Sequence, residues 1–168
     1  MNAKENKVAE PIFKISRTFD APIDLVWKAM TELERMAQWW GPKGFKTSYA
    51  KMDFKVGGMY HYCITSPDGH DIWGKMVYQK IVKPTKIIFV NSFSDKNAGV
   101  TRHPMNEAWP LEMLSTFTFV EDKGKTTFTV EWSPIKPTES ERKTFEEGTA
   151  SMNQGWTGTL ERLNEYLS

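Results

Sequence analysis

The sequence predicts an α+β fold in which an antiparallel sheet wraps around one long helix at the end of the chain. The first observation is that apolar residues recur at helical spacing between residues 138 and 167. They are Phe145, Met152, Trp156, Leu160, Leu163 and Leu167. The second observation is that the stretch from Phe45 to Pro134 consists of β-rich runs separated by short turns, which is typical of hairpins.

Three glycines in the predicted helix are the third observation. Gly148, Gly155 and Gly158 each cost about 1 kcal/mol relative to alanine in a helix interior. A helix that tolerates these losses has either a neighbour pressed against it or an empty volume beside it. The glycines therefore predict a pocket between the helix and the sheet.

The beginning of the chain predicts a tail followed by a strand. Residues 1–10 are polar and charged, so we expect a disordered tail and neither a signal peptide nor a membrane anchor. Residues 11–168 are expected to form one domain. Its first strand is predicted at 12–19, with Phe13 and Ile15 on one face.

Two short helices are expected after this strand. Pro22 suits a helix start, because its missing N–H would have no partner there. Thr31 and Glu34 have the spacing of a capping box, which predicts a second short helix that includes Trp40. Gly41 and the proline after it would end this helix.

Six further strands are predicted, at about 45–54, 58–66, 71–82, 86–94, 111–121 and 126–133. The segment 95–110 interrupts them and is long and irregular, which is typical of a lid, a partner surface or disorder. After the last strand, Thr138 and Glu141 predict a capping box at the start of the final helix. The predicted order is therefore strand, two short helices, six strands and a long helix.

Alternation of apolar and polar residues indicates which strand positions face inward. The inward set in the last two strands is Leu111, Met113, Ser115, Phe117, Phe119, Phe128, Val130 and Trp132. In 58–66 the alternation places Tyr60, Tyr62 and Ile64 inward, and His61 and Cys63 outward. The strands at 71–82 and 86–94 are apolar on both faces, which indicates either a bulge or a dimer contact on the outer face.

Composition excludes several classes of function. Lys plus Arg number 22 against 21 Asp plus Glu, and this balance argues against a dedicated nucleic-acid binder. The single cysteine, Cys63, excludes an internal disulfide and a cysteine metal cluster, and fits the cytoplasm. No apolar run is long enough to cross a membrane. His61, His70 and His103 lack metal-ligand spacing, so we expect exposed or turn histidines and neither a metal nor another cofactor.

Short motifs along nearly the whole chain resemble a known family. They are Phe19-Asp20-Ala21-Pro22, Val26-Trp27, Trp39-Trp40-Gly41-Pro42, Gly57-Gly58, Pro67-Asp68-Gly69, Gly74 and Gly155-Trp156 with Leu160, Leu163 and Leu167. In this order they resemble the START-like (SRPBCC, birch-pollen-allergen-like) superfamily, in the branch of homologues of the activator of heat-shock protein 90 ATPase. The branch takes its name from a larger, multidomain co-chaperone, whereas this chain has the length of one domain.

The resemblance implies a helix-grip fold, in which a seven-stranded antiparallel sheet curls around the C-terminal helix. It also implies a deep cavity between them, suited to an apolar or amphipathic small molecule. The candidate ligand-binding residues are Trp40, Tyr60, Tyr62, Phe89, Asn91, Met113, Ser115, Phe117, Trp132, Met152, Trp156 and Thr159. Taken singly, each large apolar residue in this set is more often part of a packed core than of a ligand site.

Three functions stay open, in order of preference. The first is binding of a small hydrophobic ligand in the cavity, without nucleic acid and without membrane insertion. The second is a cyclase, aromatase or hydrolase that uses the same cavity, which requires two or more converging polar groups with shifted pKa values. The third is a protein-interaction module, with a homodimer formed through the sheet face or the 95–110 loop.

Overall fold

The strands form one antiparallel sheet in the computed structural model, which describes residues 11–168. They are β1 (Phe13–Phe19), β2 (Lys46–Met52), β3 (Met59–Thr65), β4 (Asp71–Val82), β5 (Lys86–Ser94), β6 (Val100–Thr101), β7 (Met113–Asp122) and β8 (Lys125–Pro134). The order across the sheet is β1-β8-β7-β5-β4-β3-β2, and β6 pairs with β5 off this path. The α+β prediction is confirmed, with β6 as one short strand more than expected. The predicted tail at 1–10 lies outside the described residues.

The two short helices are α1 (Ile23–Thr31) and α2 (Leu33–Trp39). They confirm the predicted pair, but the capping box predicted at Thr31 is wrong. Thr31 is the last residue of α1, and its hydroxyl donates to the Trp27 carbonyl at 2.9 Å. Trp40 is the C-cap residue of α2 and lies just outside the helix.

The C-terminal region consists of two helices, α3 (Glu139–Glu147) and α4 (Thr149–Leu167), so the prediction of one continuous helix is wrong. The predicted capping box is present, since the Glu141 N–H donates to the Thr138 hydroxyl at 3.1 Å and the Thr138 N–H donates to Glu141 Oε1 at 2.9 Å. The break falls at Gly148, where a Cβ would lie 3.0 Å from the Trp109 ring. A side chain at that position would push against the loop that packs there.

The inner face of the sheet follows the predicted alternation. Met113, Ser115, Phe117 and Phe119 are all buried, and they face α4 together with buried residues of β8. Leu111 precedes β7 and is 37% exposed, so it lies at the edge of this face, where it borders a cavity together with Met113.

The outer face holds a second aromatic cluster that the sequence did not predict. His61 and Cys63 point away from α4 as expected, yet they are only 5% and 2% exposed, so the expectation of an exposed His61 is wrong. The His61 ring lies 5.4 Å from Tyr49 and 5.2 Å from Trp73, centroid to centroid. Its Nε2 also lies 3.1 Å from the Asp95 carbonyl, so the segment after β5 folds back over this face.

A β-bulge explains part of the two-sided apolar pattern. The register between β4 and β5 shifts between Tyr78 and Lys80, and the shift keeps both Tyr78 and Ile81 on the inner face. A homodimer through the outer face or the 95–110 loop stays a prediction.

Replacing Trp156 by alanine tests the packing of α4 on the sheet. Its ring is 5% exposed and lies within 6.0 Å of the rings of Trp40, Phe117 and Trp132. We expect Trp156→Ala to lower the free energy of unfolding by about 3–5 kcal/mol in urea titrations. Thr157→Ala, an exposed neighbour, should change it by less than about 0.5 kcal/mol. A loss below about 1 kcal/mol for Trp156→Ala would show that the ring carries little of the packing.

Candidate ligand cavity

Two adjoining cavities lie between the inner face of the sheet and α4. Their volumes are about 210 and 260 Å³. Tyr62, Phe93, Trp132 and Met152 line both of them, so the two cavities form one cleft with two ends.

The larger end is apolar and aromatic. Trp40 and Trp156 pack edge to face with their ring centroids 5.7 Å apart, and Ile64 and Ile72 complete the wall. Gly155 borders this end, and a Cβ built there meets no atom within 4 Å. Of the two explanations for the helix glycines, an empty volume therefore applies at Gly155, and a pressed neighbour applies at Gly148.

Trp40 is held in the wall by α4 itself. Nη1 of Arg162 donates to the carbonyl oxygens of Trp40 and Gly41 at 3.1 Å and of Pro42 at 3.2 Å. Gly41 has a φ of 104°, a left-handed conformation that glycine adopts without strain. One guanidinium thus satisfies three carbonyls at the end of α2 and fixes this turn against the helix.

The smaller end is more polar. The Ser115 hydroxyl donates to Asn91 Oδ1, and the Met105 N–H donates to His103 Nδ1 at 2.9 Å. The His103 ring packs on Phe93 with centroids 4.7 Å apart. Burial lowers the pKa of His103, which favours its neutral form near pH 7.

Tyr62 joins the two ends. Its ring lies over Gly74, where a Cβ would come within 2.5 Å of the phenol oxygen. Burial raises the pKa of Tyr62 to about 12, and a hydrogen bond with Trp40 partly opposes this shift. Tyr62 is therefore a neutral phenol at physiological pH, and it cannot serve there as a phenolate base.

The long loop forms one side of the smaller end. Arg102 Nη1 pairs with Glu141 Oε2 at 2.5 Å, and the Trp109 ring lies 5.7 Å from Phe145 of α3. His103, Trp109 and Leu111 then line the cavity. The sequence predicted a lid, a partner surface or disorder for 95–110. This part of the loop is instead an ordered wall of the cavity that is attached to α3.

The structure separates the twelve candidate residues into two groups. On the cavity wall lie Trp40, Tyr62, Asn91, Met113, Trp132, Met152, Trp156 and Thr159. Behind the wall, in the packed core, lie Tyr60, Phe89, Ser115 and Phe117, each no more than 2% exposed. Three of these contact wall residues, since Tyr60 stacks on Tyr62 with ring centroids 5.1 Å apart, the Ser115 hydroxyl donates to Asn91, and the Phe117 ring lies 6.0 Å from that of Trp156.

Sequence reasoning missed several wall residues. Phe93 lies two residues beyond Asn91 on the same face of β5, so the alternation rule contained the signal for it. His103 and Trp109 come from an irregular loop, where no periodicity points to one side. Their positions depend on contacts with α3, far along the chain.

Charged groups and metal-ligand groups are missing from this cleft. No Asp, Glu, Lys or Arg lines either cavity among residues 11–168. Within the same residues, no group of three or more His, Cys, Asp or Glu side chains is arranged to hold a metal ion. None of the helices described there is long and apolar enough to cross a membrane.

A cleft between a curled antiparallel sheet and a C-terminal helix is the geometry that the motif resemblance implies. A family model described as Activator of Hsp90 ATPase homolog 1-like protein matches residues 20–168. The chain belongs to this family. The helix-grip class to which Activator of Hsp90 ATPase homolog 1-like proteins belong is known for ligand binding in a hydrophobic cavity. No curated protein matches the sequence.

Solved structures similar to this Activator of Hsp90 ATPase homolog 1-like chain support the fold. A protein from Nitrosomonas europaea is 23% identical, with a TM-score of 0.74 and 96% of each chain covered. A protein from Staphylococcus epidermidis is 26% identical, with a TM-score of 0.70, and the match covers 96% of this chain and 92% of that one. The AHSA1 protein from Silicibacter pomeroyi is 16% identical, with a TM-score of 0.70 and coverage of 94% and 97%.

The attachment of the loop to α3 predicts a pH dependence. The pKa of Glu141 is lowered, first by the Thr138 backbone N–H and then by Arg102. A lowered folded-state pKa stabilises the protein above the unfolded value, near 4.5, and this stabilisation is lost as pH falls through the folded value. Glu141→Gln keeps the capping acceptor and removes the charge. We expect the variant to be less stable than wild type at pH 7, with a difference that shrinks toward pH 2. Parallel curves of unfolding free energy against pH would contradict this.

Proposed function

We propose that the protein binds a small hydrophobic or amphipathic molecule in the cleft between the sheet and α4. One observation carries this proposal: the open volume beside Gly155, walled by aromatic rings. The aromatic residues are Trp40, Tyr62, Trp132 and Trp156. A glycine at this position costs helix stability and leaves space where a side chain would have filled it.

The size and chemistry of the cleft support an uncharged ligand. Apolar cavities of roughly 150 Å³ bind benzene, so each end, at about 210 and 260 Å³, has room for an aromatic ring. Burial of apolar ligand surface supplies about 25 cal/mol per Å² of driving force. Because no ionised side chain lines the cleft, nothing there compensates the desolvation of a charged ligand. A cytoplasmic location is part of the proposal and rests on the single cysteine.

An enzyme that uses the same cleft is the second candidate. Tyr62 and His103 both line the smaller end and both have shifted pKa values, which is the feature that distinguishes this function. Yet His103 Nδ1 already accepts from Met105, and no hydrogen bond among the described residues links His103 to Tyr62. A change in the mass of a bound compound during incubation would favour this candidate.

Two substitutions at Gly155 test the binding proposal with the uncharged fluorescent probe phenylnaphthylamine. Gly155→Leu should fill the larger end and weaken probe binding by more than about tenfold, a loss of about 1.4 kcal/mol. Gly155→Ala adds only a methyl group and should bind the probe nearly as wild type does. Both variants should keep or raise the melting temperature, because each gains roughly 1 kcal/mol of helix propensity. Unchanged fluorescence titrations for Gly155→Leu would exclude the cleft as the binding site.

A further inference from the structure

The polar groups at the smaller end of the cleft have fixed hydrogen-bonding roles. Asn91 is the first of them. The fully buried Ser115 hydroxyl donates to Asn91 Oδ1, so the NH₂ group of the amide points away from Ser115. No hydrogen bond among residues 11–168 uses the Asn91 NH₂ group, and the residue lines the cavity. Asn91 therefore offers N–H donors to anything that enters this end.

His103 is the second group with a fixed role. Because its Nδ1 accepts the Met105 N–H at 2.9 Å, the neutral ring carries its proton on Nε2. Protonation of the ring would leave that Nε2–H in place. His103 thus presents a donor at Nε2 in either state, and packing on Phe93 holds the ring in the wall.

Tyr62 is the third. Tyr62 lines both ends of the cleft, and as a neutral phenol it carries an O–H that can donate. Ser151, whose hydroxyl can donate or accept, lines the smaller end.

Asn91 and His103 thus bring two donors to one end of an otherwise apolar cleft, and Tyr62 lies where the two ends join. No Asp or Glu among the described residues lines that end to pair with these donors. A donor left unpaired when water is displaced costs about 1–3 kcal/mol. A binding site built from such donors favours ligands that bring acceptors and disfavours apolar analogues. The absence of Lys and Arg from the walls makes a neutral acceptor a better match than a carboxylate.

We infer that the ligand is an uncharged, largely apolar molecule with a carbonyl-type acceptor, such as a ketone, quinone or lactone. Its carbonyl oxygen lies at the smaller end, which Asn91, His103 and Tyr62 line, and its apolar body lies in the larger end, against the rings of Trp40 and Trp156. This inference rests on the cavity-binding function proposed above and adds the chemical class and the orientation of the ligand.

Benzophenone and diphenylmethane test the inference, because they share two rings and differ only in a carbonyl in place of a methylene. We expect wild type to bind benzophenone about fivefold more tightly in equilibrium dialysis, which is the size of one net hydrogen bond. Asn91→Asp keeps the acceptor for Ser115 and replaces the NH₂ donor by an oxygen. This variant should lose the preference for benzophenone or reverse it.

His103→Phe is the second variant, and it keeps an aromatic ring against Phe93 while it removes the donor. We expect it to weaken benzophenone binding more than diphenylmethane binding and so to reduce the preference for the ketone. Thermal unfolding of each variant checks that the fold is retained, and the His103 variant keeps the test valid if Asn91→Asp does not fold.

The possible outcomes distinguish this inference from the cavity-binding function on which it rests. If wild type binds neither compound, the proposed cavity function is overturned together with the ligand class. If wild type binds both compounds equally well, cavity binding stands and the carbonyl preference is overturned. A preference for benzophenone that survives in both variants would also overturn the inference, because the carbonyl would then lie elsewhere.

Discussion

The fit of α4 against the curled sheet is the constraint on which the rest of the structure depends. Trp156 fills the space between helix and sheet and packs against three other aromatic rings. Gly155, the residue before it, leaves the adjacent space empty. Two consecutive residues of α4 thus provide both the packing that holds the helix on the sheet and the open space beside it.

The two ends of the cleft depend on different parts of the chain. The apolar end is built from α2, β3, β4 and α4, and Arg162 ties the turn after α2 to the helix. The polar end needs the loop before β7, which is held by α3 through Arg102 and Trp109. Gly148, where the helix breaks, matters for this end of the cleft. The Trp109 ring packs against the glycine, and a side chain at that position would push against the ring.

Local patterns predicted the faces of the strands but not the depth of each residue. Alternation placed Tyr60 and Tyr62 on the same inner face, and that is correct. Yet Tyr62 borders the cleft, whereas Tyr60 lies fully buried behind it. Depth depends on how far α4 stands from the sheet at each point, and this distance is set by residues far apart in sequence.

Contacts between distant segments also explain the other errors. His61 and Cys63 are buried because the segment after β5 returns over the outer face. The alternation of apolar and polar residues in β3 gives no sign of that contact. The break in the C-terminal helix was not predicted, for a different reason. Gly148 and Gly155 look alike in the sequence, and only their surroundings distinguish a close neighbour from an open space.

The free energy of the empty cleft is itself an argument for a ligand. No side chain fills the roughly 260 Å³ of the apolar end, and apolar surface that stays in contact with water forgoes about 25 cal/mol per Å². Water can enter at the polar end, but the aromatic end offers it few partners. The indole N–H of Trp132, in the wall between the two ends, is also buried without a partner among the described residues. A molecule that fills the apolar end recovers this lost free energy on binding, and a larger side chain at Gly155 would recover it without any ligand.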